Sequence, residues 1–317
     1  MQAIGGYLGF ELDTRRLYHS QAIALNTARN ALEYVIAAKK YKKIYVPYFT
    51  CDSLLQPIIR LGLAFEQYAI DVNFEPIFDY TKLGEQEVFL YTNYFGLKDE
   101  FIIELNQKGL RLIVDNAQAF FSLPLEGAHT MYSPRKFLGV PDGAYLYTDT
   151  RLDQALDIDK SFQRFEHLLA RLDGDAEDGY SQFIGNENIL SHTPLRYMSR
   201  LTQNLLTAVD YPTVMQQRRL NFEQLHQALG AHNAWDWLLR SGQVPLTYPF
   251  YTRNTNLRVW LKENRVFTPQ YWREVLDVVT ASSIEHDYVS NIIHLPIDQR
   301  YGESDMQRVI ELVKLCK

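Results

Sequence analysis

Two side chains near the middle of this chain have the types and surroundings that covalent amine chemistry needs. Asp115 closes the apolar, branched run Leu112 to Val114, and Gln118 follows three residues later. A short apolar run ended by turn residues reads as a buried strand, and in open α/β sheets ligands bind beyond the carboxyl ends of the strands. Asp115 is therefore expected at such a rim. Downstream, Ser133-Pro134-Arg135-Lys136 leads through a Gly-Val-Pro-Asp-Gly turn into a second apolar strand, Ala144 to Tyr147. A lysine attacks a carbonyl only as the neutral amine, which partial desolvation beside another positive charge favours. Arg135 is that neighbouring charge, and Lys136 is the candidate Schiff-base lysine, with Asp115 across the same crevice.

The order Asp-x-x-Gln, then a Ser/Thr segment running into Lys-x-Leu-Gly, then Asp-Gly before a strand resembles the DegT/DnrJ/EryC1/StrS family. These are sugar aminotransferases of fold type I that use pyridoxal 5′-phosphate. The resemblance implies that Asp115 pairs with the cofactor's protonated pyridine nitrogen, Gln118 packs against the ring region and Lys136 carries the cofactor. The chemistry agrees, because the ring acts as an electron sink only while its nitrogen holds a proton, and a buried carboxylate stabilises that cation.

The chain departs from the family in two places. The family's serine lies five residues before the lysine, where this chain has Met131; Ser133 fits the Ser-x-x-Lys spacing of fold type I enzymes more widely and is the expected phosphate donor, with Thr130 in reserve. The second departure is in Pro47-Tyr48-Phe49-Thr50-Cys51, which resembles the family's "VPxxT" element. Cys51 stands where the ring-stacking aromatic aligns, so Phe49 or Tyr48, or Tyr94 or Phe95 from a later loop, is expected to cover the ring.

The elements that must hold these residues follow in order. Asn26-Thr27-Ala28-Arg29 opens an apolar-periodic segment that ends in lysines, as capping and the helix dipole favour. A helix N-terminus is an anion site, and the resemblance makes Thr27, Ala28 and Arg29 its phosphate cradle. Val88 to Thr92 is a strand ending at Asn93, a candidate donor to the cofactor's phenolic oxygen or to substrate. Strands and helices then alternate, which predicts an α/β fold with a mainly parallel sheet covered on both faces. Arg151 to Tyr211 is expected to be helical, with the acidic run Asp173 to Asp178 as a turn. By resemblance, Asn186 and Asn188 belong to a loop that reaches a partner's cofactor phosphate. Residues 1–243 form a large cofactor-binding domain, including the helical segment 151–243, and 244–317 a small C-terminal α+β domain ending in "LPI…E-x-D…VI", another match to the family.

Composition narrows the function classes. At 317 residues, 46% hydrophobic and 22% charged, the sequence suits an ordinary globular protein with a substantial core. A net charge of −6 offers no basic field to nucleic acid. Cys51 and Cys316 show neither disulfide nor metal spacing, and no secretory signal or membrane span is recognisable, so a cytoplasmic setting is expected. The resemblance implies an aminotransferase that moves an amino group from an amino-acid donor to a keto sugar, nucleotide-linked, for polysaccharide or secondary-metabolite synthesis, and that acts as a homodimer. The alternatives are a noncatalytic relative keeping the fold, or a cofactor enzyme with another reaction at a sugar. Family members that dehydrate carry histidine in place of the lysine, which Lys136 argues against.

Overall fold

The computed structural model describes residues 4–316. Its strands are β1 (Ile23–Leu25), β2 (Lys43–Pro47), β3 (Ala64–Ile70), β4 (Pro76–Ile77), β5 (Glu87–Thr92), β6 (Leu112–Asn116), β7 (His129–Tyr132), β8 (Ala144–Tyr147), β9 (Tyr248–Tyr251) and β10 (Ile292–Leu295). The first eight make one sheet in the order β1-β8-β7-β6-β5-β2-β3-β4. From β7 through β3 the neighbours are parallel, β8 runs against β7, and β1 runs against β8. The carboxyl ends of β1, β2, β6 and β7 therefore share an edge with the start of β8. This is the mainly parallel α/β fold the sequence predicts.

The helices are α1 (Ala28–Lys39), α2 (Asp52–Arg60), α3 (Asp99–Gln107), α4 (Glu166–Asp173), α5 (Tyr180–His192), α6 (Arg200–Thr207), α7 (Tyr211–Leu229), α8 (Leu257–Glu263), α9 (Ile284–Asn291) and α10 (Glu303–Leu315). On one face of the sheet, Leu32 and Val35 of α1 and Leu54 and Ile58 of α2 pack on Ile44, Val46, Ile113 and Met131. On the other, Ile102 and Leu105 of α3 and the aromatic and aliphatic side chains of 272–292 pack on Tyr45, Phe89, Leu112 and Val114. Side chains alternate along a strand, so Asp115 shares the α1/α2 face with Ile113. A third core joins Phe222, Leu225 and Leu229 of α7 to the β9–β10 pair and to Val309, Ile310 and Val313 of α10.

The stretch from Arg151 to Tyr211 is helical only in part. Residues 151–165 hold a single 3-10 turn, Phe162–Arg164, although the acidic run does lie between α4 and α5 as expected. The reason is a buried carboxylate that a free-standing helix would leave in water. Asp159 pairs with Arg164 at 2.7 Å and Arg196 at 3.3 Å, and its N–H donates to Tyr197 O, which holds this segment extended against the chain before α6.

Candidate active site

At the shared strand edge a cavity is lined by Thr27, Ala28, Arg29, Leu32, Cys51, Ser53, Leu54, Asp115, Ala117, Met131, Ser133, Arg135, Lys136, Gly143 and Glu187. Five separate pieces of chain meet here. The β1–α1 turn gives the first three, the start of α2 gives Cys51 and Ser53, the end of β6 gives Asp115, the β7–β8 connection gives Ser133 to Gly143, and α5 gives Glu187. Asp115 and Lys136, the residues singled out from sequence, are brought together on one cavity wall.

Each is placed by local causes. Thr27 is the N-cap of α1 and its hydroxyl accepts the Asn30 N–H at 3.2 Å, so the first N–H groups of α1, which have no intrahelical acceptor, open toward the cavity. Asn26 secures that turn: its N–H donates to Arg196 O, its Nδ2 to Pro194 O, and its carbonyl accepts the Gly143 N–H at 2.6 Å. Proline at the start of the Pro134–Lys136 3-10 turn presets the bend that displays Lys136, and the Ser133 hydroxyl makes no cap bond to it. The Asp-Gly pair divides its work. Asp142 is fully buried and accepts from the N–H and hydroxyl of Ser199 and from the Thr202 hydroxyl, which moors α6 beside the cavity.

Gly143, with φ of +121°, has room for no side chain: a Cβ would lie 3.0 Å from Pro134 Cγ and 3.2 Å from both Met198 Cε and Thr202 Cγ2. Gly143→Ala is therefore expected to destabilise the fold by about 1–3 kcal/mol, the usual range for such a forced backbone, read as a lower denaturation midpoint.

The electrostatics mark one carboxylate and one cationic corner. Asp115 is buried, makes no ion pair among the described residues, and its carboxylate accepts only the Ala117 N–H, at 2.9 Å, among them. Burial raises its pKa above 3.8, with Lys136 and that hydrogen bond pulling the other way. A buried carboxylate in this state is stabilised by a cation that reaches it. The same cavity is lined by Arg29, which donates to Gln56 Oε1 at 2.8 Å and whose pKa burial lowers, and by Arg135, whose Nε is buried without a partner. Ser133, Arg29, Arg135 and the α1 N-terminus are donors of the kind a phosphate takes, and the Asp115 carboxylate is of the kind that pairs with a protonated ring nitrogen. The residues present fit pyridoxal 5′-phosphate.

Several expectations need correction. Lys136 lines the cavity but is exposed and not sheltered, because the short turn that carries it passes from buried Pro134 through half-buried Arg135 to the solvent-facing lysine. Arg135 is no free charge: its guanidinium pairs with Glu187, which the sequence reading missed. Glu187 lies on α5, far from the motif in sequence, and no local signal marks it.

Phe49 is not a ring cover. It is buried among Trp272, Tyr94, Phe74 and Tyr288, with the Trp272 ring 4.7 Å away, and Tyr94 and Phe95 belong to the same core. Neither these three nor Tyr48 lines the cavity; Cys51 and Leu54 form the wall where an aromatic was expected. The Cys51 thiol is held neutral, its pKa raised by burial.

Asn93 is not a cofactor donor. Its Nδ2 donates to Asp99 Oδ1 at 2.6 Å and Asn116 Oδ1 at 3.0 Å, which uses both hydrogens, and its Oδ1 accepts the Lys98 N–H. Gln118 also lies outside the cavity lining: its Oε1 accepts the Phe95 N–H at 2.9 Å, and Ala117 lines the cavity in its stead. Thr130 faces the other side of the sheet with Val114 and Asn116. Asn186 and Asn188 are on α5 and not in a loop, with Asn186 Nδ2 donating to Pro141 O at 2.8 Å.

No family model matches the sequence, and the search of curated proteins returns no match. Solved structures do match. A putative sugar aminotransferase, Spr1654 from Streptococcus pneumoniae in its PMP-form, superposes with a TM-score of 0.64 at 13% identity over 96% of this chain and 93% of that one. The sugar aminotransferase CalS13 from Micromonospora echinospora gives 0.62 at 13%, over 94% and 88%. DesV from S. venezuelae, in complex with a ketimine intermediate, gives 0.62 at 14%, over 92% and 84%. The likeness extends over nearly the whole length, and this chain has the fold of the sugar aminotransferases.

Proposed function

We propose that this protein is a pyridoxal 5′-phosphate-dependent aminotransferase that moves an amino group from an amino-acid donor to a keto sugar, nucleotide-linked, in polysaccharide or secondary-metabolite synthesis. A fold alone hosts many activities. The observation that carries the reading is the unpaired buried carboxylate of Asp115 in one cavity with Lys136 and with an unpartnered arginine nitrogen. Bound there, the cofactor supplies an electron sink for bonds at the amino-bearing carbon. Asp115 holds positive charge at the ring end. Ser133, Arg29 and the first turn of α1 bind the phosphate. Lys136, at the wall, would hold the cofactor's carbonyl carbon and, as a free amine, would move a proton at the amino-bearing carbon.

The same reading extends to a homodimer in the cytoplasm. Support for a second copy comes from the extended arm before β1, where Ile4, Tyr7, Leu8 and Phe10 stand almost fully in solvent, an apolar surface that a neighbouring chain would cover. No helix among the described residues is long and apolar enough to cross a membrane. The large unit, 1–243, would carry the cofactor, and the unit from Val244 would help shape the sugar side.

The cavity wall at Cys51 favours a second reading, a noncatalytic relative, because no ring lies there to hold the cofactor flat. The test is direct. Purified protein mixed with pyridoxal 5′-phosphate should turn yellow, and borohydride should fix the pyridoxyl group to Lys136 in the peptide map. Glutamate should then bleach the band of an enzyme and leave that of a mere binder. A colourless protein that takes up no cofactor would end both readings.

Glu187 gives a further expected outcome. Its carboxylate competes with a phosphate for Arg135, so Glu187→Gln should tighten inorganic phosphate and pyridoxamine 5′-phosphate binding by about 1.5- to 5-fold, the worth of a partly exposed ion pair. Calorimetric titration reads it, and weaker binding would remove Arg135 from the phosphate site.

A further inference from the structure

Arg218, on α7, is 2% exposed and makes no salt bridge among the described residues. Its guanidinium instead gathers neutral acceptors from three places. Nε donates to Gln299 Oε1 at 2.9 Å, Nη1 to Leu246 O at 3.2 Å and Pro245 O at 3.4 Å, and Nη2 to Phe137 O at 3.3 Å. The guanidinium carbon also lies 4.6 Å from the centroid of the Phe137 ring. Gln299 Nε2 adds a second donor to Phe137 O at 2.9 Å. Asp298 acts on this charge only from beyond hydrogen-bond range, and a buried guanidinium with no carboxylate bonded to it is a costly way to fill space.

What the arginine does hold is the carbonyl of Phe137, the residue after Lys136. The Phe137 and Leu138 N–H groups both donate to Pro134 O, at 3.0 and 2.8 Å, closing the turn from its near side. Arg218 and Gln299 grip the Phe137 carbonyl from the C-terminal half of the chain. The lysine's backbone is thus fixed by two units that meet only in the folded protein, while its amine stays at the cavity wall.

We propose that Arg218, acting with Gln299, is a positioning residue for Lys136, fixing the origin of the side chain so that the amine reaches the cofactor's carbonyl carbon. This rests on the cofactor reading above. It also separates covalent capture, which needs the lysine aimed, from phosphate and ring binding, which do not.

Two ligands make that separation measurable. Pyridoxal 5′-phosphate can join Lys136, whereas pyridoxamine 5′-phosphate has no carbonyl and binds without it. In Arg218→Met the preference for the pyridoxal over the pyridoxamine form, from two equilibrium titrations, should fall at least tenfold with pyridoxamine 5′-phosphate affinity unchanged within twofold. Gln299→Glu keeps an acceptor for Arg218 but loses the donor to Phe137, so it folds even where Arg218→Met does not. It should lower the preference about threefold and slow borohydride fixation in parallel. A preference within twofold of the wild-type value in Gln299→Glu, or an equal loss of both affinities, overturns the proposal. A wild-type protein with no attachment to Lys136 sinks the cofactor reading itself, and the clamp with it.

Discussion

Lys136→Ala protein should bind pyridoxamine 5′-phosphate as the wild type does, yet borohydride should no longer fix a pyridoxyl group to it. The same amine both holds the cofactor and moves the proton, so the half-reaction with glutamate should slow by at least about two to four orders of magnitude, the contribution typical of a positioned acid–base group. Folding should hardly notice. Lys136 is exposed and its side chain donates no hydrogen bond or salt bridge among the described residues, so its truncation should change stability by no more than about 0.5 kcal/mol. Single-turnover absorbance and urea melts read the two effects apart. A variant keeping more than a tenth of the wild-type rate would place the reactive amine elsewhere.

Asp115→Asn should separate stability from activity in the opposite sense. The asparagine oxygen can still accept the Ala117 N–H, but the amide cannot hold a ring cation, and the half-reaction should fall by about 10²–10³, as when one preorganised electrostatic partner is removed. The empty protein should become no less stable, and at neutral pH more so. Burial raises the Asp115 pKa above 3.8, so its contribution to stability is fully present below that value and is lost as pH rises through the higher folded value. The advantage of the variant over the wild type should therefore be small at pH 3 and grow toward pH 7. Saturating pyridoxal 5′-phosphate should reverse the order by giving the wild-type carboxylate its cation. Equal melting of the two empty proteins at both pH values would show that Asp115 is not buried as a charge.

The sequence was legible where cause and effect lie close together. The apolar run before Asp115, the Thr27 cap at the start of α1 and the apolar strand Ala144–Tyr147 are all local patterns, and each forms where expected. Illegible were the roles decided by distant contacts. An aromatic at position 49 fits a ring platform or a core equally well from sequence, and the choice was made by Trp272 and Tyr288, more than two hundred residues away. Asn93 looked available until Asp99 and Asn116 took its hydrogens. Arg135 looked like a free charge until α5 brought Glu187 to it.

The reversal of β8 against β7 has its own consequence. Ser133, Lys136 and Gly143 sit on one hairpin connection whose two ends are fixed in a ladder that sets Met131 opposite Leu146 and Tyr132 opposite Tyr145. A residue added or deleted between them has to be absorbed within the connection, which shifts Ser133 or Lys136 from the cavity, or by sliding one strand past the other, which would turn Leu146 out of the core beneath α1 and Tyr145 out of the aromatic core on the opposite face. Side chains along this loop can be exchanged one at a time, but its residue count cannot drift.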